Sequence, residues 1–242
     1  MLSLHFDIVE STNIIAKQML SSYNEVIITA DIQTNGKGRN GKTWYSGIGR
    51  DILFSHGQKY ILNSEKTPLL MQACAGLSVQ AFLLSILPPS VQIRIKYPND
   101  IYIKHREKIG KISGSLIETE YSGSTLISMI TGIGINVNSP TNELPNVNPS
   151  ISILDILGDE VDLQKCRKEF IDIYKALIND RDDKLNLWKN QLNIIQKTIH
   201  ILNDNQEYIV IDILEDGRLH CKSGDSERYI HSGDSITYDL FD

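Results

Sequence analysis

Cysteine is scarce in this chain. Its 242 residues contain three, Cys74, Cys166 and Cys221, an odd number with no CxxC pair. That usage suits a reducing compartment and excludes a disulfide framework or a four-cysteine zinc site. The six histidines are scattered, with neither HExxH nor a tight HxH spacing. Long apolar runs are also missing. The longest apolar stretch, residues 68–87, is interrupted by Gln72, Gly76, Ser78, Gln80 and Ser85, and it predicts a buried helix rather than a membrane span. Residues 1–10 carry acidic groups and no basic leader, so no signal peptide is read and the cytoplasm is the expected location. Cations are in the minority, 24 Lys+Arg against 30 Asp+Glu, a formal charge of −6. Coating a nucleic acid needs a clustered cationic surface, which this balance argues against. What remains, 41% hydrophobic and 22% charged, is an ordinary globular composition with enough chain for one core and a small appended unit.

Patterning divides the chain at about residue 195. Ser11, Thr12 and Asn13 are all good helix caps ahead of the helical period Ile14, Ile15, Met19 and Leu20. Residues 25–33 read as a strand, and residues 34–50, with five glycines and no apolar period, as a long loop. A strand at 51–57 and a helix at 67–87 follow, with Pro68 suited to that helix's first turn. Strands are predicted at 92–96, 101–103, 111–120 and 125–137, the last two joined by a hairpin turn at 121–124. Residues 138–150 form an Asn- and Pro-rich connection. Apolar spacing at 153–157 and 162–191 predicts a helical layer over the sheet. From residue 198 the character changes to five short strands at 198–202, 207–214, 218–222, 228–231 and 235–239. Their linkers fall at 203–206, 215–217, 223–225 and 232–234, a spacing that predicts a small β-barrel. The expected fold is α+β: a mixed sheet carrying helices in residues 1–195, then a small C-terminal β-barrel in residues 196–242.

Four segments could carry chemistry. The octet Gly36-Lys37-Gly38-Arg39-Asn40-Gly41-Lys42-Thr43 joins three cations to three glycines, which lets backbone N–H groups approach an anion while the cations neutralise it. It matches the P-loop string GxxxxGK[ST], but a P-loop opens a helix. The following Trp44-Tyr45-Ser46-Gly47-Ile48-Gly49-Arg50 has no helical period. The second segment is Lys96-Tyr97-Pro98-Asn99-Asp100, where Pro98 stiffens a turn from which Asn99 and Asp100 project. The third is Lys111-Ile-Ser-Gly114 with Glu118 beyond it, and the fourth is Gly132-Ile-Gly134-Ile-Asn136. Taken singly, each has an ordinary structural explanation: a solvated basic loop, a Pro-Asn-Asp turn, a surface lysine at a strand start, a β-bulge.

Their order and spacing resemble the biotin protein ligases, enzymes that activate biotin with ATP and attach it to a lysine of a carrier protein. The likeness extends from Glu10-Ser11-Thr12-Asn13 through Gln33, the glycine loop, Trp44 and the Lys96 to Asp100 turn, to Lys111, Glu118 and Gly132 to Asn136. It implies a class II synthetase-like catalytic domain followed by a small barrel. It further implies that Ser11, Thr12, Asn13, Gln33, Lys37, Gly38, Arg39 and Lys111 face biotin. Gly36, Lys37, Gly38, Arg39, Trp44, Asn99, Asp100 and Asn136 would then face ATP and the adenylate. Lys111, Arg39 and Asp100 are the implied catalytic groups, and the metal ligands are left unassigned. ATP, Mg²⁺ and biotin are the implied substrates and cofactor, with no tightly bound prosthetic group. The implied partner is a biotin carboxyl carrier protein, with neither nucleic acid nor membrane, and exposed strand edges are compatible with a homodimer.

The sequence departs from the family in three places. In the glycine loop Lys37 replaces the usual Arg and loses its bidentate fork, and Asn40 stands where another Arg is usual. Tyr97 replaces the common Trp. The segment 104–110 is longer than usual, so Lys108 competes with Lys111, and the Gly114 and Glu118 spacing favours Lys111. A chain starting at the catalytic domain, with no helix-turn-helix, is not expected to act as a repressor. Competing readings are a lipoate–protein ligase, whose Arg-Arg-x-Ser-Gly-Gly-Gly stretch is missing, a P-loop NTPase, and an inert domain with a docking barrel.

Overall fold

A computed structural model describes residues 1–60, 67–141, 149–180, 183–202, 204 and 206–242. The parts of the 138–150 connection, the 162–191 helical stretch and the 203–206 linker that fall on residues 142–148, 181–182, 203 and 205 lie outside the described residues.

A seven-stranded mixed sheet forms the larger part, built from β1 (Leu2–Val9), β2 (Glu25–Gln33), β3 (Ile52–Lys59), β4 (Gln92–Lys96), β5 (Asp100–His105), β6 (Lys108–Ser122) and β7 (Thr125–Ile135). Its order is β1-β2-β3-β7-β6-β5-β4, with β1 and β2 parallel and the other pairs antiparallel. Strand β1 was not predicted. The alternation Leu2, Leu4, Phe6, Ile8 carried the signal, although these side chains are at most half-buried and Ile8 is exposed. Helix α1 (Thr12–Met19) joins β1 to β2. Of the three expected caps only Ser11 takes the cap position, and its side chain makes no capping bond. Thr12 and Asn13 sit inside the first turn and are free for other work.

Helix α2 (Pro68–Ile86) starts where expected, with Thr67 as cap and its hydroxyl accepting from the Leu70 N–H at 3.1 Å. Among the described residues it is the one helix long and apolar enough to cross a membrane. Here it is buried against the sheet, α4 (Leu163–Asn179) and α5 (Lys184–Leu192), as expected for a helix apolar on nearly every face. The short α3 (Ile153–Leu157) opens on a capping box between Ser152 and Asp155. Phe54, Phe82, Phe170 and Tyr174 meet edge-to-face in the centre of the core.

The C-terminal strands β8 (Thr198–Ile201), β9 (Glu207–Ile213), β10 (Leu219–Ser223), β11 (Ser226–Ile230) and β12 (Ile236–Thr237) form the second sheet, in the order β11-β10-β9-β8-β12. Its inward residues Tyr208, Val210, Ile213, Leu219 and Cys221 join the same apolar cluster as Phe54 and Trp188. The Tyr97 hydroxyl donates to the Gly217 carbonyl at 2.8 Å, with the Ile230 carbonyl at 3.2 Å. The turn before β5 is thereby tied to the small sheet. All three cysteines are free and buried.

Candidate active site

One cavity of about 480 Å³ opens over β3, β7 and β6. It is lined by Ser11, Thr12, Asn13, Gln33, Lys37, Gly38, Arg39, Trp44, Asn99, Asp100, Lys111 and Asn136. Every site residue expected from the sequence is therefore at this cavity except Gly36. That residue lies one step behind the wall, its carbonyl accepting from the Trp44 N–H at 2.9 Å.

At one end the side chains form a continuous polar chain. Gln33 Oε1 accepts from the Thr12 N–H at 2.8 Å and from the Thr12 hydroxyl at 3.0 Å. Ser55 Oγ on β3 lies 2.7 Å from Thr12 Oγ1 and 2.5 Å from Asn13 Oδ1. The Asn13 amide donates to Glu118 Oε2 at 2.5 Å. Helix α1 presents Thr12 and Asn13 here because the cap position falls on Ser11. Gly132 makes the approach feasible, since a Cβ there would collide with the Asn13 amide. Ser55 is buried inside the strand run and Glu118 pairs across the sheet. Neither was assigned a role in this chain from the sequence, because each meets its partner only through tertiary packing.

The other end is cationic. The octet folds back on itself through a bridge between Lys37 and Thr43, with a single 3-10 turn at Arg39–Gly41. It opens no α-helix and continues irregularly into β3, so the P-loop string carries no P-loop geometry. Arg39 Nη1 donates to Asn99 Oδ1 at 2.9 Å, and Asn99 Nδ2 donates to the Ser115 carbonyl at 2.8 Å. Lys111 sits within β6, not at its start. Its Nζ is 2.7 Å from Asp100 Oδ1 and 5.8 Å from the centre of the Trp44 ring. Backbone on both sides holds it, because Lys111 pairs with Tyr102 at a bulge and with Ser150 on its other side. Lys108 is exposed at the strand start and does not reach the cavity.

Trp44 lies across Gly134, where any Cβ would enter the indole. The segment behind Trp44 is fixed by Asp51, a fully buried carboxylate unremarked in the sequence. It accepts from the Gly47 N–H at 2.9 Å, the Val137 N–H at 2.8 Å and the Ser139 hydroxyl at 2.6 Å. Burial raises its pKa even against those three donors.

Lys42 and Lys96 also line the cavity, making five cationic side chains against the carboxylates of Asp100 and Asp234. A formal excess of three positive charges in a chain of net −6 is a local arrangement for a polyanion. Two buried polar atoms facing this region have no hydrogen-bond partner, Trp44 Nε1 and Asn136 Oδ1, while Asp100 Oδ1 is met by the Lys111 ammonium. Unpaired atoms of this kind are costly unless a ligand meets them.

Comparison with known proteins places the chain among recognisable relatives. The family model described as "Biotin/lipoate A/B protein ligase family" matches residues 5–136. The "Bifunctional ligase/repressor BirA" of Bacillus subtilis is 29% identical over 163 residues, covering 66% of this chain and 48% of that protein. The chain thus spans about half the length of that relative. The "Biotin--[acetyl-CoA-carboxylase] ligase" of Mycobacterium tuberculosis is 24% identical over 227 residues, 87% of this chain and 78% of that one. Among solved structures, the biotin protein ligase from Aquifex aeolicus in complex with biotin and ATP superposes with a TM-score of 0.67. It is 26% identical, and 99% of each chain is covered.

Proposed function

The chain belongs to the biotin/lipoate A/B protein ligase family, and from that membership we propose that it activates biotin with ATP and transfers it to a lysine of a biotin carboxyl carrier protein. The observation that carries this reading is one cavity with a hydrogen-bonding chain at one end and a cluster of cations at the other. A ureido ring offers one carbonyl and two N–H groups, which the Gln33–Thr12–Ser55–Asn13–Glu118 chain is built to meet. The dithiolane of lipoate has no carbonyl or N–H with which to engage that chain, a basis for discrimination against it.

In the first step the biotin carboxylate attacks the α-phosphorus of ATP, giving biotinyl-5′-AMP and pyrophosphate. Both reactants are anions and the carboxylate is already ionised at neutral pH, so charge is the obstacle and no general base is needed. Lys37, Arg39, Lys42 and Lys111 offset the charge that gathers on the phosphate oxygens. Mg²⁺ is expected with the nucleotide. Asp100 and Asn136 offer hard oxygen donors on this wall, the Asn136 Oδ1 buried and unpaired and the Asp100 carboxylate held by Lys111, the ligand chemistry that Mg²⁺ takes, and the ion would supply charge neutralisation at the phosphates. In the second step a neutral carrier lysine attacks the acyl carbon, the bond to AMP breaks, and the attacking nitrogen gives up a proton to become the amide. Asp100 would take up that proton after exchanging its contact with Lys111. With three free, buried cysteines, the working location we propose is the reducing cytoplasm.

The test is incubation with ATP, Mg²⁺, biotin and a biotin carrier domain, followed by the mass of the carrier. One biotinyl increment on one lysine, with pyrophosphate exchange dependent on biotin and not on lipoate, is the expected result. Exchange driven by lipoate instead, or ATP hydrolysis with neither acid present, would overturn the assignment.

A further inference from the structure

The tip of the cationic loop is attached to the rest of the protein by three side-chain bonds. Arg39 reaches Asn99. The other two end on a single carboxylate of the C-terminal part: Lys42 Nζ is 2.9 Å from Asp234 Oδ1, and Asn40 Nδ2 donates to Asp234 Oδ2 at 3.0 Å. Asp234 is well placed to hold the loop because it is itself held. It sits in a 3-10 turn, Gly233–Ser235, whose cap Ser232 accepts from the Asp234 N–H. Gly233 is pressed so closely onto the Tyr97 carbonyl that a Cβ would not fit. The turn that carries Asn99 and Asp100 therefore forms the base on which Asp234 rests. Burial alone would raise the Asp234 pKa, but Lys42, with Asn40 and Arg39, outweighs it and keeps the carboxyl below its ordinary value. The charge is present throughout the neutral range.

We propose that Asp234 is a positioning residue for biotin activation: it clasps Lys42 and Asn40 so that the loop stays closed over the adenylate until the acceptor lysine arrives. The proposal rests on the function given above. It assigns the small C-terminal sheet a share in retaining the intermediate, through a contact 192 residues away in sequence from the lysine it holds. An adenylate that escapes is a mixed anhydride. Any exposed lysine amine can attack its acyl carbon, forming an amide, releasing AMP and losing a proton, so leakage is read as labelling of the wrong protein.

Two measurements test this on Asp234→Ala, with thermal unfolding as a check that the variant is folded. The first is hydrogen exchange in the protein without substrates, at the Gly38, Lys42 and Trp44 amides, whose N–H groups bond to Lys42, Arg39 and Gly36 carbonyls. Exchange about tenfold faster than wild type is expected, and Lys42→Ala combined with Asp234→Ala should add little further, since the bond between Lys42 and Asp234 is already lost in the single variant. The second uses ATP, Mg²⁺ and biotin with serum albumin as bystander and a carrier domain as acceptor. The ratio of bystander to carrier labelling should rise about tenfold, with KM for ATP raised more than kcat is lowered. Unchanged exchange in a folded variant overturns the clasp, as does an unchanged labelling ratio. A wild-type protein that forms no biotinyl-adenylate overturns the functional reading instead, while the exchange result still decides the clasp.

Discussion

At the scale of single residues the site is shaped as much by what is missing as by what is charged. Lys111 projects from within β6, its ammonium drawn to Asp100 and facing Trp44. If it neutralises the transferring phosphate, Lys111→Ala should lower biotin-dependent pyrophosphate exchange about 10²–10³-fold. Lys108→Ala, at the exposed strand start, should leave the rate unchanged, and equal losses from both would remove the distinction drawn between them. Gly134 makes the complementary case. Its missing Cβ is the space the Trp44 indole occupies, so Gly134→Ala should expel the ring, raise KM for ATP, and shift tryptophan emission to the red. Trp188, the other tryptophan, is fully buried and gives a constant background. Both positions were marked in the sequence, where a lysine before a strand glycine and paired glycines near an asparagine stand out. Ser55, Asp51 and Asp234 were not given roles. Each has partners far off in the sequence, from Asn13 for Ser55 to Asn40 for Asp234, and nothing in a local pattern distinguishes such a serine or aspartate from any other.

Among elements, alternation and capping made most of the fold legible. Strands β2 and β4 fall on the expected residues, and α2 runs one residue inside each expected end. Strand β1 escaped because an edge strand that is never fully buried until Val9 needs little hydrophobic pressure and looks like a polar leader. What seats the helical layer on that edge was equally hidden. Arg167 of α4 donates to Asp31 of β2 at 2.6 Å, beside His5 of β1. Burial pushes the Asp31 pKa up, but the Arg167 hydrogen bond and charge, with His5, outweigh it and hold the carboxyl below 3.8. A carboxylate with a depressed folded pKa stabilises the fold above its unfolded value and loses that contribution as pH falls through the folded one. Asp31→Asn should therefore unfold a few degrees lower at neutral pH, with the difference closing below about pH 4. Thermal scans of both proteins from pH 3 to pH 8 check this, and a gap that widened in acid would reverse the assigned sign.

Over the whole molecule the opposition between a net charge of −6 and a cation-lined cavity is sustained by how the two sheets meet. The sequence divides the chain near residue 195 by strand length and turn spacing, a division of pattern. The apolar cluster runs across it: Phe54, Trp188, Tyr208 and Leu219 belong to one body of side chains. Polar contacts cross in the same place, with Tyr97 bound to the Gly217 carbonyl from one side and Asp234 bound to the loop from the other. We propose that both parts unfold together, so that calorimetry and near-ultraviolet dichroism report one coincident transition. Tyr97 is the residue on which to press this. Its hydroxyl is buried and its pKa is pushed up to about 12 by that burial, so it remains a donor at every accessible pH. Tyr97→Phe keeps the ring in the core and deletes the donor, leaving the carbonyl of Gly217 unmet and costing roughly 1–3 kcal/mol. If the two parts are one cooperative unit, that loss moves the single transition and leaves its shape intact. If the small sheet melts independently, the same substitution splits the curve, with the low-temperature step belonging to residues 196–242.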